Sequence, residues 1–174
     1  MSFPLLLVVA LLCPARLLAE DAIQPTLAHL RLGDSLRSIQ RIYPPAKDQP
    51  KWPSYVEPRG RVERVRVERS YLKKPIANVD TMWLSFKSGR LVEIQLIYDA
   101  AYTRTNSVDA LATQWLSIYG EPHRTDEGRY WWSDGSTVLR VFYAEVPLAE
   151  GKSQSVELRT SVQLFEQDVF ERVD

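Results

Sequence analysis

Two alternating stretches joined by Lys87-Ser88-Gly89 constrain the fold of this chain more than any other feature. Met82, Leu84 and Phe86 alternate with Trp83 and Ser85, and beyond the glycine Val92, Ile94, Leu96 and Tyr98 take up the alternation. Side chains of a strand point in turn to two faces, so this pattern encodes a half-buried β-hairpin and not an amphipathic helix. A three-residue loop with Gly89 in the left-handed position predicts Leu84 opposite Val92 and Met82 opposite Ile94. The large aliphatics then share one face, leaving Trp83, Glu93 and Ile97 on the other.

The flanking sequence supplies further elements. Gly33-Asp34-Ser35 followed by Leu36, Ile39, Ile42 and Tyr43 predicts a short helix, with Asp34 or Ser35 as N-cap and Pro44-Pro45 as its stop. Residues 44–58 hold five prolines around Trp52 and Tyr55 and read as an ordered surface loop. In residues 61–72, Val65, Val67 and Tyr71 alternate with Arg64, Arg66 and Glu68, the period of a strand. Residues 106–119 place Val108, Leu111, Ala112, Trp115, Leu116 and Ile118 on a helical stripe, with Gly120 as C-cap. Tyr130-Trp131-Trp132, a turn centred on Asp134-Gly135 and residues 137–143 predict a second hairpin. Val156, Leu158, Thr160, Val162 and Leu164 then mark a long strand.

Helix, strands, helix, strands is an internal repeat at about 76 residues when Ile42-Tyr43 is laid on Ile118-Tyr119, with a hairpin glycine in each half. The expected fold is α+β: an antiparallel sheet with two helices packed on one face, built as a tandem helix-plus-three-strand repeat over about 30–100 and 106–165. Residues 20–174 are expected to form a single domain. Equal numbers of basic and acidic residues, 22 of each, argue against a protein that coats nucleic acid, and no nucleic-acid partner is expected.

The first residues read as a leader. The apolar run from Phe3 to Leu12 is half the length a bilayer core needs, and Leu17-Leu18-Ala19 precedes the acidic pair Glu20-Asp21. A signal peptide over residues 1–19, cleaved after Ala19, makes the mature chain exported, periplasmic in a diderm bacterium, and without a transmembrane segment. Cys13 is the one cysteine, so cleavage after Ala19 also removes any thiol chemistry or disulfide. Lipidation of Cys13 is the alternative, against which Leu12 stands where a small residue is wanted.

Chemistry is sparse. Gly33-Asp34-Ser35-Leu36 spells the nucleophile motif of GDSL esterases, but the last histidine, His123, lacks an aspartate three residues before it, and a capping role accounts for Asp34 and Ser35. His29 and His123 are too far apart for a helical metal pair, and the glycines are too scattered for a phosphate loop. No catalytic residue, cofactor or metal is assigned. A hydrolase or transferase using a carboxylate pair, with Asp126-Glu127 nearest, is the alternative to a binding function.

Two features point to binding. Arg59, Arg61, Arg64, Arg66, Arg69, Lys73 and Lys74 crowd one strand region against Glu63 and Glu68. They fit either an anionic partner surface or an internal neighbour, the acidic C-terminal segment, and alternating charge also protects an edge strand. Trp83 and Trp131 fall on the face opposite the expected core, together with Val138 and Phe142, so either that face binds a partner or the Pro-rich loop or C-terminal aromatics cover it. The candidate binding residues are Trp83, Trp131, Phe142, Arg64 and Arg66.

Gly33-Asp34-Ser35 with Ile39, Ile42, Tyr43 and Pro45 resembles the Gly-x-Ser helix of the BamE/SmpA family of small envelope proteins and, in tandem form, of the β-lactamase-inhibitor-protein family. Ile118-Tyr119-Gly120-Glu121-Pro122 looks like the end of a second copy. The resemblance implies a helix on a three- or four-stranded sheet per copy, in a non-enzymatic exported module that binds another protein of the cell envelope.

Overall fold

The computed structural model describes residues 22–46, 62–124, 128–148 and 155–170. The expectations for the leader, Cys13, Trp52, Tyr55, Arg59, Arg61 and Asp126-Glu127 lie outside the described residues. In the first half the elements are β1 (Thr26–Leu27), β2 (Leu30–Arg31), α1 (Leu36–Ile42), β3 (Val62–Glu68), β4 (Val79–Lys87) and β5 (Arg90–Tyr98). In the second half they are α2 (Ala100–Thr105), α3 (Val108–Tyr119), β6 (His123–Arg124), β7 (Tyr130–Ser133), β8 (Thr137–Pro147), β9 (Val156–Glu166) and α4 (Gln167–Phe170). The chain is α+β, as its alternation predicts.

Strands β3 to β9 form one antiparallel sheet in the order β3-β4-β5-β9-β8-β7-β6. The first half is a three-stranded meander, β3-β4-β5, and the second a four-stranded one, β6-β7-β8-β9; the two join at their last strands, β5 and β9. The expected tandem of two helix-plus-three-strand units is therefore uneven, with three strands after the first helix and four after α3. Ser88-Gly89 and the turn after Asp134 each join the second and third strands of their half.

The central hairpin closes more tightly than expected. Ser88 and Gly89 both take positive φ, 52° and 75°, the two-residue turn whose twist suits flanking strands, and Lys87 pairs with Arg90. Leu84 consequently lies opposite Ile94 and Met82 opposite Leu96, not opposite Val92 and Ile94. A bulge between Ser85 and Phe86 takes up Val92 as its extra residue. That extra residue lets Leu91 and Ile94, three positions apart, face the same side.

Both longer helices pack on that side. Ser35 is the N-cap of α1, accepting from the Ser38 N–H at 3.3 Å, while Asp34 accepts from the Arg31 N–H at 2.9 Å. Backbone bonds from Gly33 N–H to the Leu91 carbonyl (2.7 Å) and from Leu91 N–H to the Asp34 carbonyl (2.8 Å) clamp the start of α1 to β5. Leu36, Ile39 and Tyr43 of this segment and Val108, Leu111 and Ala112 of α3 join Leu84, Ile94, Leu139 and Leu164 in one core. Leu116 and Ile118, expected on the apolar stripe of α3, are exposed, because its inward positions run 108, 111, 112, 115 and 119; on α1 the buried positions are Leu36 and Ile39, and Ile42 is exposed as well. Trp132, 4% exposed, packs against Trp115 and Tyr119 and donates its indole N–H to the Gly120 carbonyl at 3.0 Å.

The second hairpin turns around Gly135-Ser136 and not Asp134-Gly135: Asp134 N–H bonds the Thr137 carbonyl, and Ser133 pairs with Val138. Asp134 instead organises the turn with its carboxylate. Oδ1 accepts from the Ser136 and Thr137 N–H groups and the Ser136 hydroxyl, and Oδ2 accepts from Ile23 N–H at 2.9 Å, tying down the start of the described chain.

Partial burial raises the Asp134 carboxyl, but those four hydrogen bonds outweigh it and hold the group below its ordinary value. Their contribution is complete above the usual aspartate value near 3.9 and fades as pH falls through the lower folded-state value. Asp134→Ala is expected to lose about 1 kcal/mol at pH 7, a figure discounted for an exposed turn. Urea melts of the two proteins between pH 7 and pH 2 should show the difference shrinking with acidification; a constant difference would contradict the assignment.

Candidate functional site

The face turned away from the helices follows from register. On β3, Val67 lies in the core, so Arg64, Arg66 and Glu68 point the other way. The pairings then place Arg66 opposite Trp83, Trp83 opposite Gln95, Gln95 opposite Gln163, Gln163 opposite Arg140, Arg140 opposite Trp131 and Trp131 opposite His123. One row crosses every strand of the sheet. At about 4.8 Å per strand step it spans roughly 29 Å, and it contains no aliphatic side chain and no carboxylate.

The neighbouring row runs Arg64, Ser85, Glu93, Phe165, Val138 and Ser133. Its centre is Glu93, a carboxylate only 2% exposed, which requires full hydrogen bonding at that depth. Ser85 Oγ donates to Oε2, while Gln163 Nε2 (2.6 Å) and Arg64 Nη2 (3.4 Å) meet Oε1. Arg64 Nη2 also donates to Gln95 Oε1 at 2.6 Å, Gln95 Nε2 donates to Ser161 Oγ at 3.1 Å, and the Ser161 hydroxyl donates to the Leu96 carbonyl at 3.0 Å. Donors from β3, β4 and β9 thus converge on an acceptor in β5. Its three hydrogen-bond partners among the described residues are all donors, an arrangement suited to positioning.

The structure brings all five sequence-predicted binding residues to this face. Trp83 and Trp131 are half-buried in the long row with Arg66, Arg64 lies in the next row, and Phe142 lies opposite Ser161 in the row on the other side. The guanidinium of Arg64 sits 4.6 Å and that of Arg66 5.8 Å from the centre of the Trp83 ring. His123 stacks on Trp131 with 4.1 Å between ring centres, and Arg140 lies 5.2 Å over Phe165. Phe165 is therefore part of the face, in β9, and does not fold over it.

Among the described residues the basic strand does not pair with the acidic C-terminal segment. β3 is an edge strand, separated from β9 by β4 and β5. Its arginine-rich end finds local acids instead: Arg66 meets Glu68 and Arg69 meets Asp99, each at 3.5 Å. A cavity of about 370 Å³ opens beside them, lined by Arg66, Glu68, Arg69, Ser70, Asp80 and Thr81. No group of three metal-ligating side chains occurs among the described residues.

No family model, curated protein or solved structure matches this chain. The site accordingly rests on its own geometry. Sequence reasoning missed Gln95, Gln163, Arg140 and His123 as row members and Glu93 as its anchor. Polar residues at 93 and 95 inside the apolar run 91–97 were the available signal, since alternate polar positions there require a polar face.

Alanine variants separate core from surface. Trp132→Ala is expected to cost about 3–5 kcal/mol, and Glu93→Ala, which strands three donors around a buried site, about 2–4 kcal/mol. Trp83→Ala and Trp131→Ala should each cost less than about 2 kcal/mol, because their rings are only half-buried. Urea unfolding of the four variants checks this order, and equal large losses at all three tryptophans would make the row part of the core.

Proposed function

We propose that this chain is an exported, cofactor-free binding module that engages another protein of the cell envelope through the sheet face opposite its helices. The observation that carries the reading is the row of Arg66, Trp83, Gln95, Gln163, Arg140, Trp131 and His123, held in register above the buried Glu93. Tryptophan and arginine are the side chains that most often dominate binding energy at protein interfaces. A face fixed by a buried network loses little conformational freedom on association. A helix with three strands followed by a helix with four agrees with the three- or four-stranded copies that the resemblance to BamE/SmpA-like modules implies, and the apolar run Phe3 to Leu12 ahead of Ala19 supports export. Among the described residues, no helix is long and apolar enough to cross a membrane.

Affinity capture from envelope extract of the native host tests the reading. Immobilised wild-type protein should retain a partner, and the Trp83→Ala/Trp131→Ala protein, folded by circular dichroism, should retain it at least tenfold less. Undiminished retention by the double variant would place the binding surface elsewhere.

A further inference from the structure

We propose that the cavity at the end of β3 binds a small zwitterion carrying both an ammonium and a carboxylate, of the class of α-amino acids with polar side chains. This site does not depend on the protein-binding reading above, and either can fail alone.

The backbone puts an acid into the cavity against the alternation of its strand. Met82 is buried under the helices and Thr81 faces the other way, so strict alternation would send Asp80 into the core beside Met82. The pairing instead sets Val79 opposite Tyr98 and Thr81 opposite Ile97, which makes Asp80 the extra residue of a bulge. Val79 enters the core in its place, and Asp80 is left half-buried in the lining of the cavity.

The groups left free there are acceptors. Among the described residues, the Asp80 carboxylate and the hydroxyls of Ser70 and Thr81 make no hydrogen bond or ion pair, although all three side chains line the same cavity. A primary ammonium has three N–H donors and no acceptor, and these three groups suit it. The guanidinium for the other end of the ligand is that of Arg69, an exposed side chain. Its Nη1 stands 3.5 Å from Asp99 Oδ2, longer than the roughly 2.7–2.9 Å of a tight charge-assisted bond. That loose contact engages one edge of the planar fork and leaves N–H groups for a carboxylate. Arg66 and Glu68, paired with each other, serve as wall and not as ligand groups.

Charge and size narrow the class. The lining holds Arg66 and Arg69 against Glu68 and Asp80, so it has no net charge but both signs. A simple anion would meet the unpaired Asp80, and a simple cation would meet Arg69; a zwitterion answers both. The volume of about 370 Å³ lies at the small end of ligand cavities, and every lining side chain is polar, so the ligand's own side chain is polar too.

Isothermal titration calorimetry of the folded protein tests the site, with L-serine and L-glutamine as zwitterions and ethylammonium, acetate and glucose as probes that each carry one of their features. Saturable binding of an amino acid is expected, weakened about tenfold or more in Asp80→Asn and in Arg69→Gln and unchanged in Arg37→Gln, which removes an exposed cation from α1. Circular dichroism checks each fold. Should Asp80→Asn or Arg69→Gln not fold, Ser70→Ala, at an exposed position, should weaken binding about threefold. No saturable binding of either amino acid would overturn the proposal, as would ethylammonium, acetate or glucose binding as tightly as the amino acid, or amino-acid binding that the cavity variants leave unchanged.

Discussion

A carboxylate buried in the middle of a β-sheet must be satisfied from several directions at once, and the structure depends on how Glu93 meets that demand. Its donors come from Arg64 on β3, Ser85 on β4 and Gln163 on β9, so one side chain ties together strands on both sides of its own. The same network reaches Gln95 and Ser161 and thereby bridges the junction between the two halves of the chain. A slip of one residue between β5 and β9 would bring Val162 or Leu164 to the polar face and strand the amide of Gln163 in the core. Apolar burial on the other face opposes the same slip, since Ile94 and Leu96 lie opposite Leu164 and Val162 beneath the helices. The two faces specify one register for different physical reasons.

Much of this was legible because side-chain alternation is insensitive to the details of a turn. The hairpin at Ser88-Gly89 closes tighter than expected, and the Asp134 turn is centred one residue later. Yet Trp83 and Trp131 still oppose Met82 and Leu139, because a register error of two residues preserves the faces. The bulge at Val92 was not legible, since an apolar residue suits a bulge and a strand equally. Ala28 and His29 make the β1-β2 turn at φ 50° and 61° without glycine or asparagine, held where the Tyr43 hydroxyl donates to the Ala28 carbonyl at 2.7 Å. That is a tertiary contact with no local signature. The helix α2 was also missed: its cap, Asp99, and the stacking of Tyr102 on Tyr98 are what fix it.

Strand order is the property that local pattern least constrains, and it decided the meaning of the charges. With β3 at the edge, the basic segment meets, among the described residues, the Glu68, Glu93 and Asp99 carboxylates. The alternation of valine with arginine and glutamate also suits such an edge: antiparallel pairing of β3 with a second copy about Val65 would set Arg64 against Arg66 and repel.

The row depends on the pairing of β5 with β9, because only that register aligns the arginines, tryptophans and glutamines beside Glu93. Isotope-edited nuclear Overhauser spectroscopy of the folded protein measures it directly. The expected result is cross-strand backbone contacts that set Gln95 opposite Gln163, together with contacts from the Gln163 side-chain amide to Glu93. Contacts that set Gln95 opposite Val162 or Leu164 instead would contradict it.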